Sequence, residues 1–102
     1  MGSRDLDITQ DVLNWDEQMF DLYGIVQESR KIGYETWAKA VHPEDRKLAE
    51  TELQQAILGI KEFHTEFRIV WHDQSIHTLQ AHAVVQRDDA GTAIRVIGVN
   101  WD

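Results

Sequence analysis

Cysteine is absent from the chain, which excludes disulfides, thiolate metal sites and thiol nucleophiles and fits a reducing, cytoplasmic setting. Proline occurs once, at Pro43. Basic residues are scarce: 10 Lys and Arg stand against 18 Asp and Glu, a formal net charge of −8. That balance repels a phosphate backbone, and the few cations gather in no patch, so nucleic acid is not expected as a partner. No apolar run approaches the ~20 residues needed to span a bilayer, and the N-terminus is no signal peptide, so direct membrane contact is not expected either. Leu6 stands where N-acylation at Gly2 would want Ser or Thr. Repeats and low-complexity tracts are missing, and 102 residues suit one domain with one modest core. Met1, Gly2 and Ser3 read as a remnant that is not part of the domain, which is expected over 4–102.

What is present falls into helical periods first and alternating periods afterwards. "VLNWDEQMFDLYG", from Val12 to Gly24, reads as a short strand followed by a helical turn or two, with Asp16 as N-cap, Met19, Phe20, Leu22 and Tyr23 as apolar contacts and Gly24 as the stop. Tyr34 to Val41 reads as a second short helix carrying Trp37, Ala40 and Val41. In "KAVHPEDRKLAE" His42, Glu44 and Asp45 have two readings. They are ligands or an acid/base pair, or else the start of a helix in which proline fills the first turn and acids complement the helix N-terminus. The second is preferred, with the helix running to about Leu58, an apolar stripe of Leu48, Leu53, Ala56 and Ile57, and Gly59 closing it. From Phe63 the period becomes two. "KEFHTEFRIVW" puts Phe63, Thr65, Phe67, Ile69 and Trp71 on one face, "HDQS" is a turn, and "IHTLQAHAVVQR" and "TAIRVIGVNW" are strands joined at Asp88-Asp89-Ala90-Gly91. Helices followed by an antiparallel meander make an α+β fold.

The phrases "LDITQDVLNWDEQMFDLYGI", "TWAKAVHPEDR", "EFRIVW" and "VVQRDDAGTAIRVIGVNWD" occur in the order found in PAS (Per-Arnt-Sim) domains, and the chain resembles that family in the form common in bacterial sensor kinases and cyclic-dinucleotide signalling proteins. The resemblance implies a five-stranded antiparallel sheet, its first strand truncated here, with short helices and one longer helix packed on one face. It implies that His42 to Arg46 opens that longer helix, with Arg68 available to Glu44 or Asp45. Asp7-Ile8-Thr9 is read as part of a first hairpin rather than as the end of a preceding unit.

PAS domains hold ligands between the inner sheet face and the helices, so the resemblance marks Trp37, Phe67, Ile69, Trp71, Leu79, Ala81, Ala83, Val96, Gly98 and Asn100 as candidate pocket residues. Two readings stand: a filled core, in which small residues face large ones, or a cavity over Ala81, Ala83 and Gly98 with Asn100 as its polar contact. No cofactor is expected. Flavin binding is disfavoured because Ile69 and Leu79 stand where carboxamides would, haem because Arg46 to Leu58 holds no histidine, and a thioester-linked chromophore because cysteine is lacking. The opposite parity, Val70, Val84, Ile97, Val99 and Trp101, is too apolar for a freely solvated face, and implies a homodimer through the outer sheet. His64, His72, His77 and His82 lie on or near adjacent strands without a ligand spacing, so no metal site is expected. The function implied is a non-catalytic sensory or dimerisation module that regulates an attached output domain such as a histidine kinase. The rivals are a purely structural dimerisation unit and, remotely, a small α+β enzyme using His82 or His42 with an acid.

Overall fold

Gly2–Asp7 (β1), Val12–Trp15 (β2), Phe63–Val70 (β3), Ile76–Arg87 (β4) and Ala93–Trp101 (β5) form one sheet in the order β2-β1-β5-β4-β3, every neighbouring pair antiparallel. This is a computed structural model, and it describes residues 1–26 and 32–102. Three helices, Glu17–Tyr23 (α1), Tyr34–Ala40 (α2) and Pro43–Ile57 (α3), lie between the first hairpin and the meander. The first strand has six residues and pairs on both sides. Gly2 and Ser3, set apart by the sequence reading, lie inside that strand opposite Asn100 and Val99.

Local chemistry accounts for the helix ends. Asp16 accepts from the Met19 N–H at 2.9 Å and from the Ser3 N–H and Oγ–H at 3.0 and 2.9 Å, so one carboxylate caps α1 and ties it to β1. Gly24 closes the helix with φ at 64°. His42 Nδ1 accepts from the Glu44 N–H at 3.1 Å, and Pro43 follows in the first turn. The helix-start reading of this stretch therefore holds, with His42 as the cap and Glu44 and Asp45 in the first turn. Asp7 accepts from the Thr9 N–H and Oγ1–H at 3.0 and 2.7 Å and shapes the turn between β1 and β2.

Two apolar assignments need correction. Leu48 is 60% exposed, because Ala49, Leu53 and Ala56 supply the inward stripe of α3 at helical spacing. Trp71 lies just past the end of β3, where the alternation stops. It is half-buried at the edge of the core, packed against it, its indole N–H donating to the Leu22 carbonyl at 3.1 Å and its ring stacking on His77 at 3.8 Å.

The N-terminus of α3 is fastened to β3. The Arg68 backbone N–H and Nε–H donate to Asp45 Oδ2 at 2.8 and 2.9 Å, Nη2 reaches Asp45 Oδ1 at 2.8 Å and Glu44 Oε2 at 3.1 Å, and the His42 N–H donates to the Arg68 carbonyl at 2.8 Å. Hydrogen bonds from Arg68 hold the Asp45 carboxyl down at about 2. The pairing that the resemblance implied for Arg68 is present with both acids.

Candidate functional site

Inward side chains are set by register. Reading across the sheet, Trp15 pairs with Arg4, Arg4 with Gly98, Gly98 with Ala83 and Ala83 with Phe63. This row spans all five strands. Gly98 at its centre and Ala83 beside it are the smallest in it, and at Gly98 the geometry shows why. A Cβ on Gly98 would stand 2.4 Å from the His82 carbonyl oxygen and 2.7 Å from the Ala83 Cβ. The Arg4 side chain reaches the aromatic part of the core: its guanidinium carbon lies 5.0 Å from the Phe63 ring centroid and 5.8 Å from that of Trp37. The cavity read over Ala81, Ala83 and Gly98 is thus crossed by an arginine that the sequence reading did not place in the core. Its only sequence signal was a lone basic residue in a position whose neighbours alternate.

The other inward candidates close around it. Trp37, Phe67, Ile69, Leu79, Ala81, Ala83 and Val96 are buried, as is Asn100, while Gly98 is half-buried. Trp37 meets Phe67 edge-on at 5.9 Å and Phe63 at 6.5 Å. The space left inside, lined by Arg4, Leu6, Leu13, Tyr34, Trp37, Leu53 and Val96, has a volume of about 10 Å³, room for one water at most.

Several polar atoms in this core lack partners among the described residues. Arg4 Nε and Nη2, Trp15 Nε1, Trp37 Nε1, Tyr23 Oη and Asn100 Oδ1 are buried, and none has a hydrogen-bond partner among the described residues. Trp15 and Tyr23 rings lie 4.6 Å apart, and Tyr23 is near enough to Arg4 and Trp37 to feel both, although it bonds to neither in ordinary geometry. Burial pushes the Tyr23 phenol well above its usual value and pulls the Arg4 guanidinium below its own. Burying an ion costs several kcal/mol. Each cation–π contact offsets about 2 kcal/mol or more when desolvated, so the two rings offset part of the cost of burying the Arg4 charge. Tyr34, on the outer side of the void, is pushed up to about 12 by burial and by the Glu50 carboxylate.

The outer face carries a different chemistry. Val84 is 53% exposed and sits opposite Ile97. Val99 and Trp101 continue the strip as half-buried residues of β5. Beside them Arg95 Nε pairs with Asp5 Oδ1 at 3.1 Å. Val70 departs from the expected strip: it lines a groove on the helical side with Tyr23, Thr36 and Ala40. His64 and His82 are directly opposed on β3 and β4, their rings 5.4 Å apart, and His82 Nε2 is 3.6 Å from Glu62. His82 therefore stands on an open face and His42 is engaged as a helix cap.

A family profile described as PAS fold matches residues 12–100. Over its whole length the chain is 30% identical to a segment of the probable diguanylate cyclase DgcE of Escherichia coli and 28% identical to a segment of the sensor protein FixL of Bradyrhizobium diazoefficiens. It spans 9% and 20% of those two relatives. In three dimensions it is similar to the crystallised N-terminal domain of a diguanylate cyclase with PAS/PAC sensor from Marinobacter aquaeolei, with a TM-score of 0.85 and 24% identity over 99% of this chain and 93% of that one. No helix among the described residues is long and apolar enough to cross a membrane.

Proposed function

The chain belongs to the PAS fold family, and from that premise we propose that it is a sensory module, not itself catalytic, that regulates an attached output domain in a cytoplasmic bacterial signalling protein. The observation that carries this reading is the alignment of the whole chain with short segments of two much longer proteins, one a probable diguanylate cyclase and one a sensor. A cyclase or a histidine kinase is the corresponding output. The module acts by having different affinities, for a ligand or for a second copy, in the two output states, since only a difference in affinity shifts an equilibrium.

A second copy is the partner that the outer face supports, through Val84, Ile97, Val99 and Trp101. Apolar sheet area left in water is unfavourable by about 25 cal/mol for each Å². A structural dimerisation unit without ligand is the alternative, supported by the nearly filled core. Exchanging this chain for the aligned segment of DgcE and measuring cyclase rate tests the regulatory reading. A chimera whose rate and stimulus response differ from those of a segment-deleted enzyme is expected; identical behaviour of the two would refute it.

A further inference from the structure

We infer that His64 and His82 are two ligands of a divalent transition-metal site on the outer sheet face, with the Glu62 carboxylate as the third. Register carries the pairing. The Arg68 N–H donates to Asp45 and the Arg68 carbonyl accepts from His42, so these backbone groups face away from β4 and the Arg68–Thr78 pair is not hydrogen-bonded across the ladder. Hydrogen-bonded and open pairs alternate along an antiparallel ladder, and the register runs unbroken from Arg68 opposite Thr78 to His64 opposite His82. The two histidines are therefore an open pair, the kind in which opposed side chains approach most closely. Both stand on strands, which hold ligands more precisely than loops do, and on the face opposite the buried Phe63 and Ala83.

The dimensions fit one ion. Zinc lies about 2.0–2.1 Å from a ligating imidazole nitrogen and so roughly 3.2 Å from the ring centroid, which puts two rings on one tetrahedral ion about 5.2 Å apart. The centroids of His64 and His82 are 5.4 Å apart. Two ligand atoms on such an ion stand about 3.4 Å from each other, and Glu62 Oε2 is 3.6 Å from His82 Nε2, too long for a hydrogen bond. No set of three ligating side chains is preassembled among the described residues. Glu62 completes one by rotating, since its side chain is 79% exposed. Two imidazoles and a carboxylate select zinc, nickel or copper over the hard ions magnesium and calcium. Spacing in the sequence hides this set, because only the pairing of β3 with β4 brings the histidines together. The site goes beyond the sensory reading and does not rest on it.

Isothermal titration calorimetry of the wild-type chain with zinc chloride and with magnesium chloride, in a buffer that does not chelate metal, tests the site, repeated with His64→Gln, His82→Gln and His77→Gln. The wild type is expected to take one zinc ion per chain and to bind magnesium about a hundredfold more weakly. His64→Gln and His82→Gln are each expected to weaken zinc binding by at least about tenfold, the loss that even an outer-shell partner of a ligand brings. His77→Gln is expected to keep the wild-type affinity, because that ring stacks on Trp71 instead. A wild-type chain that binds no zinc, or binds it no more tightly than magnesium, overturns the site, a comparison that stands even if a variant fails to fold. Unchanged affinity in a folded His64→Gln or His82→Gln variant overturns the assignment of ligands, as does an equal loss in His77→Gln.

Discussion

Replacing Asp45 by Asn removes the charge that holds the start of α3 against β3 while keeping the shape of the side chain. In the folded chain the Asp45 carboxyl titrates at about 2 rather than near its ordinary 3.8, chiefly through hydrogen bonds from Arg68. At about 1.36 kcal/mol per pH unit this corresponds to roughly 2 kcal/mol. The pair is partly solvated, with 24% of the Asp45 side chain and 38% of that of Arg68 exposed, and screening reduces the figure to about 1 kcal/mol. A carboxylate whose folded value is depressed contributes stability that is complete above its unfolded value and disappears as pH falls through its folded one. Urea unfolding of the wild type and Asp45→Asn should therefore differ by about 1 kcal/mol at pH 7, with the gap narrowing below about pH 4 and nearly closed by about pH 2. A gap that stays constant across that range would show that Asp45 acts through packing and not through its charge, and the reasoning would fail.

Gly98→Ala should cost about 1–3 kcal/mol by denaturant unfolding, because the added methyl meets the His82 carbonyl oxygen and the Ala83 side chain; a neutral effect would mean that β4 and β5 separate freely there. Asp16→Ala should cost about 1–2 kcal/mol, since one carboxylate serves both the α1 cap and Ser3, and Asp16→Asn should recover part of that loss in the same assay. Val84→Lys should abolish concentration-dependent dimerisation in sedimentation velocity; a wild-type chain that sediments as a monomer at every concentration would contradict the dimer.

Much of the fold was legible because its signals are local. The caps at Asp16 and Gly24, the proline in the first turn of α3, the hairpin at Asp88 to Gly91 and the period change at Phe63 each determine an element without reference to the rest. The inward parity from Phe67 to Asn100 followed from the same alternation. What escaped depends on distant partners. Arg4 looks like an ordinary surface cation until β1 is placed between β2 and β5, and only then does it stand above Gly98. Leu48 and Ala49 are adjacent in sequence, and which one faces the sheet depends on how α3 is rotated by the Arg68 clamp. Trp71 carries the inward parity of β3 but falls one residue beyond its end, where the turn bends the chain away.

The core as described is built around a cation that no described carboxylate balances, and that claim has one direct measurement: the unfolding free energy of Arg4→Met against wild type in a buffer containing chloride alone. A variant at least as stable as the parent is expected, because an apolar side chain of similar reach removes the desolvation cost of the charge. A loss of several kcal/mol would contradict it, showing that Arg4 is already satisfied and that the core needs its charge.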